Sequence, residues 1–276
     1  MSNPFLNDKA MSKAVDANVA TMAATDAGWG APDPATRARP VDDGPVSPWK
    51  GGVMTVGGSI TATGVLLVIL IAAATVGWMQ TEETVLGGVN LPMLAIVGSL
   101  VGFLCAIVVG FKPNLARIIG PIYAICQGFF LGAISKAYDT QWNGIVIQAV
   151  GATLGVFAVM LVLYRTNIIK VTDKFRRTII MATLGLAAFY LVSWILSLFG
   201  VEIGIFSSTS WMGIAFSLFA AGLAAMNLAL DFDFIEKGSK AGLPKQMEWF
   251  AAVGLLVTLV WLYLELLRLL SKLQNR

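Results

Sequence analysis

The chain has 276 residues, 57% of them hydrophobic and 13% charged, with a formal net charge of +3 and no histidine. A soluble domain carries about 45–50% apolar and about 25% charged residues, so this composition describes an integral membrane protein whose small positive charge reports topology rather than nucleic-acid binding. The absence of histidine excludes a Ser-His-Asp triad, a Cys-His dyad, an HExxH zinc site and a histidine pH switch. Cys105 and Cys126 both lie in apolar runs, which excludes a disulfide framework and a CxxC motif.

Residues 1–50 form a first region, read as a disordered cytoplasmic tail. It holds six acids (Asp8, Asp16, Asp26, Asp33, Asp42, Asp43) and five bases, and Pro32, Pro34, Pro40, Pro45 and Pro48 crowd its second half. Such a stretch cannot bury enough apolar surface to offset its ordering entropy. No apolar run follows a basic start near the N-terminus, so it is not a secretory signal.

Residues 51–276 form the membrane domain. Its hydropathy breaks into seven segments able to cross about 30 Å of hydrocarbon at 1.5 Å per residue: 52–78, 91–111, 115–135, 143–164, 178–199, 209–234 and 246–270. Trp78, Trp142, Trp211 and Trp249 fall near segment ends, where indole rings favour the interface. Lys112-Pro113-Asn114 turns the second segment tightly into the third. The tail, the 112–117 turn, the 165–177 loop and the 235–245 loop are basic, which sets the N-terminus in the cytoplasm and, after seven spans, the C-terminus outside. Lys272 and Arg276 then contradict the rule, a conflict that a re-entrant last segment would remove.

Small residues recur four apart at Gly98 and Gly102, Gly128 and Gly132, and Gly151 and Gly155. In lipid this spacing lets helices approach closely, and packing within one bundle is the expected use. Cys105 and Cys126 are read as small buried residues, and Gln127, Gln148 and Ser193 as hydrogen-bonding to neighbouring helices. Ionisable residues at membrane depth cost several kcal/mol and must be paired or watered. They concentrate in the last two segments, as Asp231, Asp233 and Glu236 beside Asn227, then Glu248 and Glu265. Asn227 and Asp231, four apart, share one helix face. Asp233 is rotated about 200° from Asp231 and is expected to face cytoplasmic water.

The strings "GPIYAICQGFFLGAIS" in the third segment, "NLALDFDFIEKG" closing the sixth and "LYLELLRLL" in the seventh resemble the Bax inhibitor family, most closely its bacterial YccA-like branch, over about residues 50–271. The resemblance implies an all-α fold in which six helices wrap a central C-terminal helix. It also implies a pH-sensitive calcium or cation leak of the bacterial plasma membrane, in which acids of the last two helices share a proton. For some bacterial members it implies instead an interaction protein that modulates a membrane-anchored ATP-dependent protease. Asp231 in "LALDFDFI" matches the acid closing the family's sixth helix; the second acid is Glu248 by depth or Glu265 by its "LYLE" string, although Arg268 at i+3 is a ready partner for Glu265. Lys112 and Arg117 are candidates by depth for the family's basic latch.

Two carboxyls close together at low dielectric titrate as a coupled pair. Proton loss would either splay the helices or recruit a cation, and calcium, which prefers carboxylate oxygens, suits Asp231. No catalytic site and no resident cofactor are expected: no GxGD string precedes either acid, and no phosphate-cradling glycine motif occurs. The expected partners are the lipid bilayer and, on the second reading, a membrane protease; the oligomeric state is left open.

Overall fold

The computed structural model describes residues 52–83, 89–90, 93–200 and 210–275. The tail of residues 1–50, expected to be disordered, lies outside the described residues. Helix α1 spans Val56–Met79 and is opened by Thr55, whose side chain accepts the Gly58 N–H. Strands β1 (Glu82–Glu83) and β2 (Val89–Asn90) pair antiparallel between α1 and α2. Helix α2 runs Met93–Phe111, and one 3-10 turn, Pro113–Leu115, leads into α3, Ala116–Gln141. Gly144, at φ +81, starts α4, Ile145–Arg165; only a residue without Cβ enters that left-handed region cheaply. Helix α5 is Asp173–Leu198, α6 is Trp211–Lys240 and α7 is Met247–Gln274, with Thr172 and Ser210 capping the first two through their side chains.

Among the described residues, these seven helices are long and apolar enough to cross a membrane. Four run further than hydropathy places them: α3 reaches Gln141 rather than 135, α7 reaches Gln274 rather than 270, and α5 and α6 overrun at their charged ends. Helix α5 starts at Asp173 rather than 178, because the Thr172 cap draws Lys174, Arg176 and Arg177 into its first turns. Helix α6 continues to Lys240 rather than 234, carried by the i,i+4 pairs Asp233–Lys237 and Glu236–Lys240. Charge marks where hydrocarbon ends, not where a helix does. The last segment is not re-entrant, since α7 is one helix of 28 residues, about 42 Å at 1.5 Å per residue.

Helix α7 has neighbours on several sides: α6, α1, α4, α3 and α2 all touch it. Its apolar stretch is 61% buried, against 6% in α5, which rests mainly on α6. Backbones come closest where α3 crosses α1. A Cβ on Gly128 would meet the Leu70 carbonyl, one on Gly132 the Ala74 carbonyl, and one on Gly77 the Phe129 carbonyl. Gly98 of α2 similarly abuts the Cys126 carbonyl, and Gly102 abuts the Gln127 side chain. The third glycine pair behaves differently from expectation: Gly151 and Gly155 face open space, on the side of α4 turned away from the bundle. Cys105 and Cys126 are half-buried rather than buried. Gln148 does bond to a neighbouring helix, through Gln274 at 3.3 Å, but the Ser193 hydroxyl turns back to Phe189 of its own helix.

The segment before α1 is stitched to the α6–α7 turn. Val53 pairs with Pro244, the Met54 N–H donates to the Leu243 carbonyl at 2.7 Å, and the Lys245 N–H donates to the Gly52 carbonyl at 3.1 Å. This places α1's first turn directly beside the start of α7.

Candidate functional site

The acids of α6 and α7 do not form one cluster: Asp231 faces α7, Glu248 meets α1, Glu236 meets α4, and Asp233 and Glu265 meet α5 at separate places. Asp231 points from α6 toward α7. Its Oδ1 lies 3.7 Å from where a Cβ on Gly254 would stand, beside Thr258, whose hydroxyl donates to the Gly254 carbonyl at 3.2 Å. Its Oδ2 is sealed from solvent and has no hydrogen-bond partner. With α6 continuing to Lys240, Asp231 stands nine residues from the helix end, about 13 Å at 1.5 Å per residue.

Glu248, expected beside Asp231, is elsewhere. It is buried in the first turn of α7, where its Oε1 accepts both the Thr55 N–H at 3.0 Å and the Thr55 hydroxyl at 2.9 Å. Gly58 leaves the room: a Cβ there would collide with this carboxylate. Glu248 therefore sits at the positive end of α1 and supplies acceptors to its first turn. Along α7 it is six residues, about 9 Å, short of Gly254.

Glu265 is also apart from Asp231, toward the other end of α7. Its Oε1 accepts the Tyr190 hydroxyl at 2.7 Å and the Trp261 indole N–H at 3.3 Å, and Arg268 reaches both carboxylate oxygens at 3.1–3.2 Å. The i+3 partner read from the sequence is thus in place, and Arg268 also lies over the Tyr190 ring. Asn227 bonds to Thr183 of α5 at 2.9 Å and to its own helix at the Leu223 carbonyl.

Asp233 corrects a sequence expectation. It is buried rather than facing water, and its Oδ2 accepts from Arg176 of α5 at 2.6 Å and Lys237 at 2.9 Å. Rotation by 200° from Asp231 turns it onto α5, whose first turns extend past the apolar boundary to meet it. Glu236 accepts from the Tyr164 hydroxyl at 2.7 Å and from Lys240 at 2.5 Å. Among the described residues neither Lys112 nor Arg117 is hydrogen-bonded or ion-paired to Asp231.

Four residues that sequence reading did not single out complete these contacts: Thr55, Arg176, Tyr190 and Thr258. Thr258 carried a signal, as the one hydroxyl in the run "GLLVTLVW", seven residues before Glu265 and so on the same face of α7. Tyr190 and Thr55 carried none, since their roles depend on which helix lies opposite.

Lys272, which contradicted the charge rule, is buried. Its ammonium donates to the Gly213 carbonyl and the Ser217 hydroxyl in the first turns of α6, both at 3.0 Å. A lysine consumed in this way is a structural tie, not a loop charge read during insertion. Among the described residues no group of three or more acids or cysteines is placed to hold a metal ion. Asp231 and Thr258 could offer a passing cation one carboxylate and one hydroxyl, too few oxygens for a resident calcium, which takes six to eight.

Neither a search of curated proteins nor one of solved structures returned a match. The model of the family described as Bax inhibitor 1 like matches residues 3–275, which takes in the tail that the motif strings left out. With seven apolar helices, the acid in "LALDFDFI" on the sixth and this match over essentially its full length, the chain belongs to the Bax inhibitor 1 like family.

Proposed function

We propose that this protein is a pH-sensitive cation leak of the bacterial plasma membrane, with its N-terminus in the cytoplasm, and that Asp231 alone is the group at which protons and cations compete. The observation that supports this reading is the orphaned Oδ2 of Asp231, sealed between two membrane helices. An ionised carboxyl at that depth needs a cation or water beside it, whereas the protonated acid needs neither. Glu248 and Glu265 are each committed to other partners, so no second carboxylate shares the proton in this arrangement. The Thr258 hydroxyl beside Asp231 donates to the Gly254 carbonyl, which leaves its oxygen to accept from the protonated acid.

Competition for one carboxylate fixes the sign of the pH dependence. Protons displace cations as pH falls, so flux rises with pH until Asp231 is fully ionised. The test is calcium entry into proteoliposomes between pH 5 and 8. Wild type should show rising flux with pH, Asp231→Asn should flatten the profile, and Glu248→Gln should retain it. A wild-type chain that passes no cation at any pH, or an Asp231→Asn variant with an unchanged profile, overturns the reading.

A further inference from the structure

Helices α6 and α7 meet along a seam that repeats every seven residues and carries polar groups from one end of the bundle to the other. On α7 the seam runs Gly254, Thr258, Trp261, Glu265, Arg268, Lys272, in steps of four and three. On antiparallel α6 it runs from Asp231 and Asn227, past Ala224 and Ala220, to Ser217 and Gly213, in the same steps. Such spacing holds one face of each helix against its partner, and the contacts agree: Asp231 stands at Gly254 and Thr258, and Lys272 binds Ser217 and Gly213. Helix α5 adds one polar residue per seven: Arg176 on Asp233, Thr183 on Asn227 and Tyr190 on Glu265.

Polar side chains are expensive in hydrocarbon, and a packing seam needs none. The seam is closed in this structure, for Ala220 and Ala224 are fully buried and Glu265 is 2% exposed. Its outer wall is the least held of the seven helices. Only 6% of α5's apolar stretch is buried, against 56% of α6's, and α5 rests mainly on α6. At the end away from Asp231, Arg268 neutralises Glu265, and Lys272 adds a second positive charge four residues on. Tyr190 gives Arg268 a second seat, because the guanidinium already lies 5.5 Å from its ring centroid.

We propose, resting on the leak reading above, that cations pass along the α5–α6–α7 seam and that Arg268 is its gate at the end away from Asp231. The guanidinium occupies Glu265 as a resident counter-ion. A permeating cation displaces it toward the Tyr190 ring and takes its place on the carboxylate.

The test combines flux with water access in the full chain reconstituted in liposomes. Arg268→Gln should raise calcium flux several-fold at fixed pH, Glu265→Gln should lower it, and Arg268→Lys should fall between wild type and Arg268→Gln, since an ammonium keeps the charge without the fork. Tyr190→Phe removes the hydroxyl that donates to Glu265 at 2.7 Å and accepts from Arg268 at 3.2 Å, with little change of shape, and should raise flux in the same direction, which covers the case that Arg268→Gln does not fold. In a Cys105→Ser, Cys126→Ser background, Ala224→Cys should react with a membrane-impermeant thiosulfonate faster when Arg268 is replaced. Flux that responds to pH and to Asp231→Asn, but not to Arg268→Gln or Tyr190→Phe, with unchanged labelling, overturns the seam and leaves the leak. Absence of flux in every variant, with faster labelling on loss of Arg268, overturns the leak and leaves the seam as a gated water path.

Discussion

Glu248 shows how a single carboxylate is assigned its role. Nothing in "KQMEWF" separates a pH-sensing acid from a helix-capping one. What decides is Gly58, which lets the carboxylate approach α1, and Thr55, which presents two donors to one oxygen. Gly58→Ala is expected to expel the carboxylate from its seat and cost about 1–3 kcal/mol through overpacking. Glu248→Ala, which leaves the Thr55 donors unpaired, should cost about 1–3 kcal/mol, and Glu248→Gln less, because an amide oxygen still accepts. Thermal unfolding in detergent checks all three. Asp231 was legible as an unusual acid and Thr258 as the one hydroxyl of its run, yet nothing in the sequence set the two side by side. Periodicity tells which side of a helix a residue occupies and is silent on what faces it.

At the level of helices, the sequence separated apolar spans well and glycine roles poorly. Gly132 and Gly151 both belong to four-residue glycine spacings, but only Gly132 touches another backbone, at the Ala74 carbonyl. Gly132→Val should push α3 off α1 and lower the unfolding temperature, costing upward of about 1–3 kcal/mol because rigid backbone lies opposite. Gly151→Val should stay within about 0.5 kcal/mol of wild type as a substitution away from any contact. The same melting assay compares them, and equal losses would mean that Gly151 is also at a helix interface. The ends of α5 and α6 were misjudged for one reason. Hydropathy reports where water begins, while capping by Thr172 and the Asp233–Lys237 and Glu236–Lys240 pairs carry helix beyond it.

Across the whole molecule, an apolar cavity of about 490 Å³ lies between α1, α3, α4 and α7, beside Trp78, Gly132, Leu154 and Tyr263. It is on the other side of α7 from Asp231, and its lining is almost wholly apolar, so it offers nothing to an ion. Lys272 joins the end of α7 to the start of α6, and Lys272→Met should lower the unfolding temperature by removing the ammonium's two hydrogen bonds, to the Gly213 carbonyl and the Ser217 hydroxyl, at about 1–3 kcal/mol. Deleting residues 1–48 should leave the pH profile of calcium flux unchanged if the leak is intrinsic to the membrane helices. A profile lost on truncation would shift the function toward binding by the tail.

Composition by itself determined that this chain lives in a membrane, and seven apolar runs determined the number of crossings, because burial in hydrocarbon is a property of each segment alone. The acids of the last two segments stood out for the same reason: their cost is local. Which partner each acid received was decided only in three dimensions. Glu248 went to α1, Asp233 to α5, Glu265 to Arg268 and Tyr190, and Asp231 was left facing a glycine and a threonine. Those pairings depend on the axial offset and rotation between helices. Both are set by close contacts at a few small residues, such as Gly58, Gly128 and Gly132, whose importance no single helix reveals.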